Sequence, residues 1–293
     1  MITIKLCGGL GNQLFQYAFG YQMAKRIGTE LKLDVSWFDR QDLRSPDILR
    51  FDVRYDTVER VWNDNRLLKH VNGTSFNRAL RIAGIEQFKL SGYRYLKETR
   101  YRYKESIAKY EKDNTYLDGY WQCPSYFDWV RPDLVEMFDI HELSVEVRDF
   151  GDKLNNENSI AIHVRRGDYP QKKLFYSRLL AISDEYYEKA VAYMLEQVSS
   201  DAKVYVFSND KADAGKMLYP LLHGSINEIP AGLSSLEEWY LMKSCKNQII
   251  GNSTFSWWAA YLNESKEKVV CAPGKYWGND DILPREWHKI EIL

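Results

Sequence analysis

The residues best suited to chemistry in this chain stand together at His163-Val164-Arg165-Arg166-Gly167-Asp168-Tyr169. Two adjacent guanidiniums are costly to hold side by side unless an anion or a carboxylate neutralises them. The group therefore reads as a phosphate site, with Asp168 bridging to one arginine as the plainer structural alternative. Ser208-Asn209-Asp210 and Asn252-Ser253-Thr254-Phe255-Ser256 are two further polar clusters, and each taken alone has the composition of an ordinary turn or cap. Near the amino end, Gly8-Gly9-Leu10-Gly11-Asn12-Gln13 is a glycine loop of the kind that lets backbone N–H groups approach a ligand, with Asn12 placed as the N-cap of the following helix. Leu14 stands where a dinucleotide fingerprint needs its third glycine, and no Gly-Lys-Ser/Thr follows for a P-loop. Asp34, about twenty residues on, occupies the place of a ribose-binding acid and keeps a nicotinamide-dependent oxidoreductase open as an alternative.

The elements that must position these groups are legible from periodicity. Ile160, Ile162 and Val164 alternate with Ala161, His163 and Arg165, the two-residue period of a strand, so Arg166 to Asp168 fall where that strand ends. Strand-like runs recur at residues 203–207, 247–251 and 268–272, separated by helical patterns at 183–199 and beyond Ser234 or Ser235, which open a capping box. Alternating strand and helix implies a parallel sheet with right-handed crossovers. Each polar cluster follows a strand, so three loops should converge on one edge of that sheet, where open α/β folds bind ligands. The first half repeats the scheme, with strands at 2–7, 30–33 and 115–122, and a helix reaching Ile27 with Gly28 as its stop. Residues 37–110 read as short helical pieces. Within them the basic, tyrosine-rich run Phe88–Tyr110 reads as a solvated helix face with its tyrosines inward, contact with an anionic membrane face being the alternative. A polar stretch from His141 to Asn158 marks the expected boundary, giving domains 1–150 and 151–293.

Bulk properties exclude several classes. Across 293 residues, 40 basic side chains face 41 acidic ones, so no global field exists for gripping nucleic acid. Cys7, Cys123, Cys245 and Cys271 are widely spaced in apolar segments, which argues against a zinc site or a disulfide scaffold. The run Met1–Cys7 is only strand-length, and no window approaches the ~20 apolar residues of a membrane span. A cytoplasmic protein, with at most peripheral contact at the inner membrane, is the expectation.

With these residues assembled, the sequence resembles the α-1,2-fucosyltransferases of glycosyltransferase family 11 and, more distantly, the α-1,6- and protein O-fucosyltransferases. The resemblance rests on five stretches in order: residues 8–18, Asp118-Gly119-Tyr120-Trp121-Gln122, residues 163–169, Gly251 through Trp258, and Asp281-Ile282-Leu283-Pro284-Arg285-Glu286-Trp287. It implies a GT-B-like α/β fold of two Rossmann-like domains facing a cleft, with the acceptor on the first domain's side and GDP-β-L-fucose held mainly by the second. The implied activity is that of a galactoside 2-α-L-fucosyltransferase, an inverting enzyme with no cofactor and no metal. Arg165 would neutralise the departing diphosphate, as electrostatic catalysis of such a transfer requires. His163 and Arg166 would help hold the nucleotide, and Asp168 would orient the arginines. Asn12, with Gly9 and Gly11 beside it, would orient the phosphate or the attacking hydroxyl. Ser208, Asn209 and Asp210 would meet guanine or ribose, and Asn252, Ser253, Thr254 and Ser256 the phosphates.

The implied acceptor is a galactose-containing oligosaccharide, a lipid-linked O-antigen precursor in bacterial members. Two departures stand out. Pro170-Gln171-Lys172-Lys173 contains no carboxylate where the α-1,6 enzymes carry their proposed base, and Asn209 stands where family members show an acidic pair. Another nucleotide-sugar transferase, a protein O-fucosyltransferase and a non-catalytic glycan- or nucleotide-binding protein complete the alternatives.

Overall fold

A computed structural model describes residues 1–40, 42–61, 74–90, 92–140, 142–165, 182–274 and 279–292. The chain divides into two compact units, Met1–Asp139 and Ile140–Leu293, each built on its own sheet. Among the described residues no helix is long and apolar enough to cross a membrane.

The first unit runs β1 (Ile2–Lys5), α1 (Leu10–Ile27), β2 (Leu31–Asp34), β3 (Thr57–Glu59), α2 (Thr74–Ala83), β4 (Gln87–Leu90), β5 (Tyr93–Lys97), α3 (Glu105–Ala108), β6 (Thr115–Asp118) and α4 (Arg131–Met137). Its strands are ordered β3-β2-β1-β6-β5-β4, parallel except for β4 against β5. Helix α1 lies tightly on the sheet at Gly20, where an added Cβ would come within 3.0 Å of the Ile4 Cβ. Gly28 ends the helix in the left-handed conformation, φ 73°, with its N–H on Ala24 O, as the glycine in that place leads one to expect.

The second unit runs α5 (Val145–Asn156), β7 (Ser159–Val164), α6 (Asp184–Gln197), β8 (Lys203–Ser208), α7 (Lys211–Leu221), α8 (Ser235–Ser244), β9 (Asn247–Ile249), α9 (Thr254–Leu262), β10 (Val270–Pro273) and β11 (His288–Ile290). All pairs in the order β11-β10-β9-β7-β8 are parallel. Every residue of β7 is buried, the mark of a parallel strand covered on both faces. Ser234 and Glu237 form the full capping box ahead of α8.

Residues 150 and 151, the expected boundary, lie within α5, which packs against α8 so closely that a Cβ on Gly151 would reach within 2.5 Å of the Tyr240 ring; the two compact units divide after Asp139. One expectation needs correction. Most of the basic run Phe88–Tyr110 that read as a helix face is instead the hairpin β4–β5 and the turn after it. Its aromatics stack across strands, Phe88 on Tyr95 and Tyr95 on Tyr116, each pair at 4.8 Å. Alternate charged and aromatic residues carry the strand period there, and the interspersed acids disguise it. The short strand β11 has no counterpart in the sequence reading.

At the carboxyl end of the first sheet, the buried Asp118 carboxylate lies 3.1 Å from Lys5 Nζ and 2.5 Å from Lys97 Nζ. Burial alone would raise its pKa, but the two ammoniums outweigh that and hold it below the usual carboxylate range. Replacing Asp118 by Asn strands two desolvated cations, and breaking a buried pair in this way typically costs about 3–5 kcal/mol. A fall of that size in unfolding free energy by urea titration is expected for Asp118→Asn; a change below ~1 kcal/mol would show that the cluster is well solvated.

Candidate functional site

In the second sheet β7 comes first in the chain, β8 adds on one side of it and β9 on the other. The winding therefore reverses between β7 and β9, and the crevice beyond their carboxyl ends is where such sheets take ligands. The registers Val164↔Ser208 and Ile162↔Ile249 bring the three polar clusters to adjacent strand ends, as the sequence pattern predicted.

His163 is buried, 7% exposed, and its Nδ1 has no hydrogen-bond partner among the described residues. Burial, and then the neighbouring Arg165 guanidinium, push its pKa down to about 3, so the imidazole is neutral at physiological pH. Arg165 leaves β7 half-buried. On the adjoining strand end, Gly251 is crowded: an added Cβ would lie 3.2 Å from both His163 O and the Tyr187 hydroxyl. Asn252 is 8% exposed with its Oδ1 unpartnered among the described residues. Ser253 sits at the N-cap of α9 without a side-chain cap bond, with Thr254 opening the helix and Ser256 turned back onto Ser253 O. The first turn of this nine-residue helix reaches the end of β7, with the Phe255 ring 6.1 Å from the His163 ring.

Helix α6 fixes these strand ends through two adjacent tyrosines. Tyr187 donates to His163 O at 3.1 Å, and the Tyr186 hydroxyl lies 2.6 Å from Ile250 O and 3.2 Å from Cys271 O. The buried Trp257 anchors α9 from behind, its indole N–H on Ile282 O at 2.8 Å and its ring tilted on Trp287, which ties the last two sequence motifs together. The third cluster is occupied locally. Ser208 Oγ accepts from Asp210 N, Asp210 caps α7 by accepting from Asp213 N, and Asn209 is exposed. Arg166, Asp168 and the carboxylate-free Pro170–Lys173 lie outside the described residues.

In the first unit the equivalent reversal lies between β1 and β6. The glycine loop there differs from expectation in one respect: Gly9, not Asn12, is the N-cap, and Asn12 is the third residue of α1. An extended Gly9 with Gly8 at φ 81° lets the helix begin three residues early, and the Asn12 amide packs against Gly8, where an added Cβ would lie 2.7 Å from Nδ2. Gly9 and Gly11 form the first turn around it. Asn12 Oδ1 accepts from Gln122 Nε2 at 3.0 Å. Gln13 and Gln16 are fully buried; Gln13 bridges Gly8 O, Ser45 O and Ile48 N, while Gln16 accepts from Cys7 N. Sequence reasoning passed over these two glutamines and Gln122, although polar residues three apart on an otherwise apolar helix were the available signal. Asp34 is 1% exposed and accepts from Ser36 and from the Tyr116 hydroxyl. It is closed to a ribose, which removes the structural basis for a nicotinamide site.

The pattern of "Glycosyl transferase family 11" matches residues 1–290. An O-antigen biosynthesis glycosyltransferase WbnK from Escherichia coli is 30% identical over 94% of this chain and 95% of its own length. An α-1,2-colitosyltransferase of Escherichia coli is 26% identical over 99% of both, and the galactoside 2-α-L-fucosyltransferase Sec1 of Mus musculus is 26% identical over 89% of this chain and 64% of its own. Among solved structures, the NodZ α-1,6-fucosyltransferase soaked with GDP-fucose aligns with a TM-score of 0.52 at 17% identity, over 89% of this chain and 91% of that one. An Arabidopsis thaliana FUT1 mutant in complex with GDP aligns with a TM-score of 0.50 at 14% identity, over 92% and 69%. These likenesses agree with a GT-B-type pair of Rossmann-like sheets.

The neutral His163 makes stability depend on pH. Its folded pKa lies below the ~6.5 of an unfolded histidine, so its contribution is complete above that value. As the pH falls from ~6.5 to about 3 the unfolded chain takes up a proton that the folded one refuses, at up to ~1.4 kcal/mol per pH unit. Between pH 7 and 5, wild type should lose about 2 kcal/mol more stability than His163→Phe in paired urea titrations. Parallel pH profiles would show that the imidazole accepts a proton in the folded protein.

Proposed function

Because the chain belongs to glycosyltransferase family 11, we propose that it is an inverting α-1,2-fucosyltransferase, moving L-fucose from GDP-β-L-fucose to the 2-hydroxyl of a galactoside. The observation that carries the reading is the switch point of the second sheet, where Arg165, a neutral buried imidazole and the amino end of α9 share one crevice. Fucosyl transfer builds positive charge on the sugar ring and negative charge on the departing GDP. Arg165 and the N–H groups at the start of α9 are stationary positive groups at the place a diphosphate would occupy, so they stabilise the charge that develops without reorganising. His163 remains a hydrogen-bonding group and adds no competing charge. In this reading no metal ion takes part, and Arg166 and Asp168 complete the phosphate site. Asn12 presents its amide to the phosphate or the attacking hydroxyl.

The 2-hydroxyl and the α linkage are supported by the names of two relatives, the α-1,2-colitosyltransferase and the galactoside 2-α-L-fucosyltransferase. The first of these favours colitose as a second donor sugar. The likeness to an O-antigen biosynthesis enzyme supports a bacterial surface oligosaccharide as acceptor. In this reading the acceptor is lipid-linked and met at the inner membrane from the cytoplasm.

Mass spectrometry of products from GDP-fucose and GDP-colitose with a panel of galactosides tests the reading. A fucosylated galactoside resistant to linkage at other hydroxyls is expected; transfer of colitose alone would replace the donor, and no transfer to any galactoside would remove the proposal. Arg165→Ala should lower kcat/KM by ~100-fold or more with an unchanged thermal midpoint, the usual cost of losing a charge-stabilising donor. Activity within threefold of wild type would contradict its role. Turnover should persist in excess chelator, and loss that magnesium restores would introduce a metal.

A further inference from the structure

Helix α2 ends in Arg78-Ala79-Leu80-Arg81-Ile82-Ala83, where only Leu80 is buried. Arg78 and Arg81 are exposed, and Ile82 stands 76% exposed between them and the helix end. Gly84, at φ 64°, turns the chain, and Ile85 follows at 43% exposed with its N–H on Leu80 O at 3.0 Å. A single isoleucine in water is ordinary; two of them three residues apart, beside two arginines, make a patch.

A second exposed segment lies against the first. Beyond β5, Arg100, Tyr101, Arg102 and Tyr103 all face solvent, Tyr101 at 54% with its ring tilted on Tyr120 at 5.9 Å. Glu86 joins the two segments. Its carbonyl accepts from Lys97 N at 2.8 Å, and its carboxylate accepts from Thr99 Oγ1 at 2.6 Å and pairs with Lys104 Nζ. Thr99 and Lys104 bracket residues 100–103, so the end of α2 is held beside that loop.

The charges of this patch do not cancel. Arg78, Arg81, Arg100 and Arg102 make no ion pair among the described residues, because each nearby carboxylate is matched elsewhere. Glu86 has Lys104, Glu105 has Lys109 at 2.5 Å, and Glu98 accepts from Tyr120 N at 2.6 Å and Trp121 N at 3.2 Å. In a chain whose 40 basic and 41 acidic side chains balance, four such guanidiniums are a local positive field. Guanidiniums interleaved with exposed aliphatic and phenolic side chains suit a boundary where anionic headgroups overlie hydrocarbon. A polyanion in water would engage the cations but would leave Ile82 and Ile85 with nothing to bury them.

The patch also lies at a particular end of the sheet. Strands β1, β5 and β6 are parallel, and Glu98 N donates to Asp118 O at 3.0 Å just past β5, so the patch shares the carboxyl end with the glycine loop after β1.

We propose that this edge of the first unit docks on an anionic membrane surface, with the arginines on headgroup phosphates and Ile82 and Ile85 inserted between them. A substrate carried in the same bilayer would then reach the glycine-loop end of the sheet by lateral diffusion. The proposal supplies the contact face for the membrane-borne acceptor of the proposed function, and rests on that reading for this consequence alone.

Co-sedimentation of the full chain with extruded vesicles tests it. Vesicles of phosphatidylcholine with about 30% phosphatidylglycerol should bind the protein at least about tenfold more tightly than phosphatidylcholine alone, and raising the salt from about 0.05 to about 0.5 M should release it. Each arginine at such a surface strengthens binding by roughly fivefold, so Arg81→Gln/Arg100→Gln/Arg102→Gln should weaken it by about a hundredfold. Ile82→Ser/Ile85→Ser should weaken it by about tenfold through lost insertion. Both variants should keep the thermal midpoint of wild type, and kcat/KM for GDP-fucose with a water-soluble galactoside within about twofold, since only exposed side chains change. Equal binding to the two kinds of vesicle, or variants that bind as wild type does, would overturn the proposal. Loss with the arginine changes alone, together with equally tight capture of single-stranded RNA, would overturn it in favour of a polyanion site. If wild type transfers no fucose, the proposed function fails while vesicle binding is still decided; transfer without vesicle binding removes the docking face alone.

Discussion

The second unit depends on the burial of β7 along both faces. A strand with Ile160, Ile162 and Val164 against one layer and Ala161 and His163 against the other has no solvated side on which a charge could rest. Its polar groups can meet a ligand only where the strand ends, and the guanidinium of Arg165 lies there, one residue past Val164. The reversal of winding between β7 and β9 opens a crevice at that same end, and the short link from β9 into α9 brings a helix amino terminus to it. Charge, crevice and helix terminus coincide because one buried strand leaves them no other place.

The first unit solves a similar problem with neutral groups. Its loop ends at a helix whose early turns carry Asn12, Gln13 and Gln16 in place of charges, and two of these are spent on backbone groups of the loop itself. Gln13 alone ties Gly8, Ser45 and Ile48 together, so the glycine loop is rigid although glycine would permit motion. The formal charges at this end neutralise one another, Lys5 and Lys97 against Asp118, with Glu98 held by amides.

Much of this was legible. The strand at residues 159–164, the convergence of three polar loops and the Ser234 capping box follow from periodicity and cap chemistry, because each is a local pattern enforced by a local bond. Asn12 is not the cap for a physical reason: Asn usually serves there, but here a left-handed Gly8 and an extended Gly9 start the helix earlier and place the asparagine inside it. The hairpin β4–β5 was hidden because its strand period is carried by charged residues alternating with aromatics, and its partner strand β6 lies eighteen residues beyond it. Glu98 and Gln122 had no local signature at all. Their hydrogen bonds run to partners 22 and 110 positions away.

A motif that recurs as a unit can do so because it builds a site or because it touches a ligand, and satisfied hydrogen bonds separate the two. Trp257, Ile282 and Trp287 satisfy one another, as do Gln13, Gly8 and Ile48; such residues explain why distant stretches travel together without implying that any meets a substrate. His163 Nδ1 and Asn252 Oδ1 are different. Both are buried polar atoms without partners among the described residues, and each flanks the β7–β9 crevice. Leaving two such atoms unsatisfied costs free energy that a folded protein seldom gives up unless something else completes the bonds.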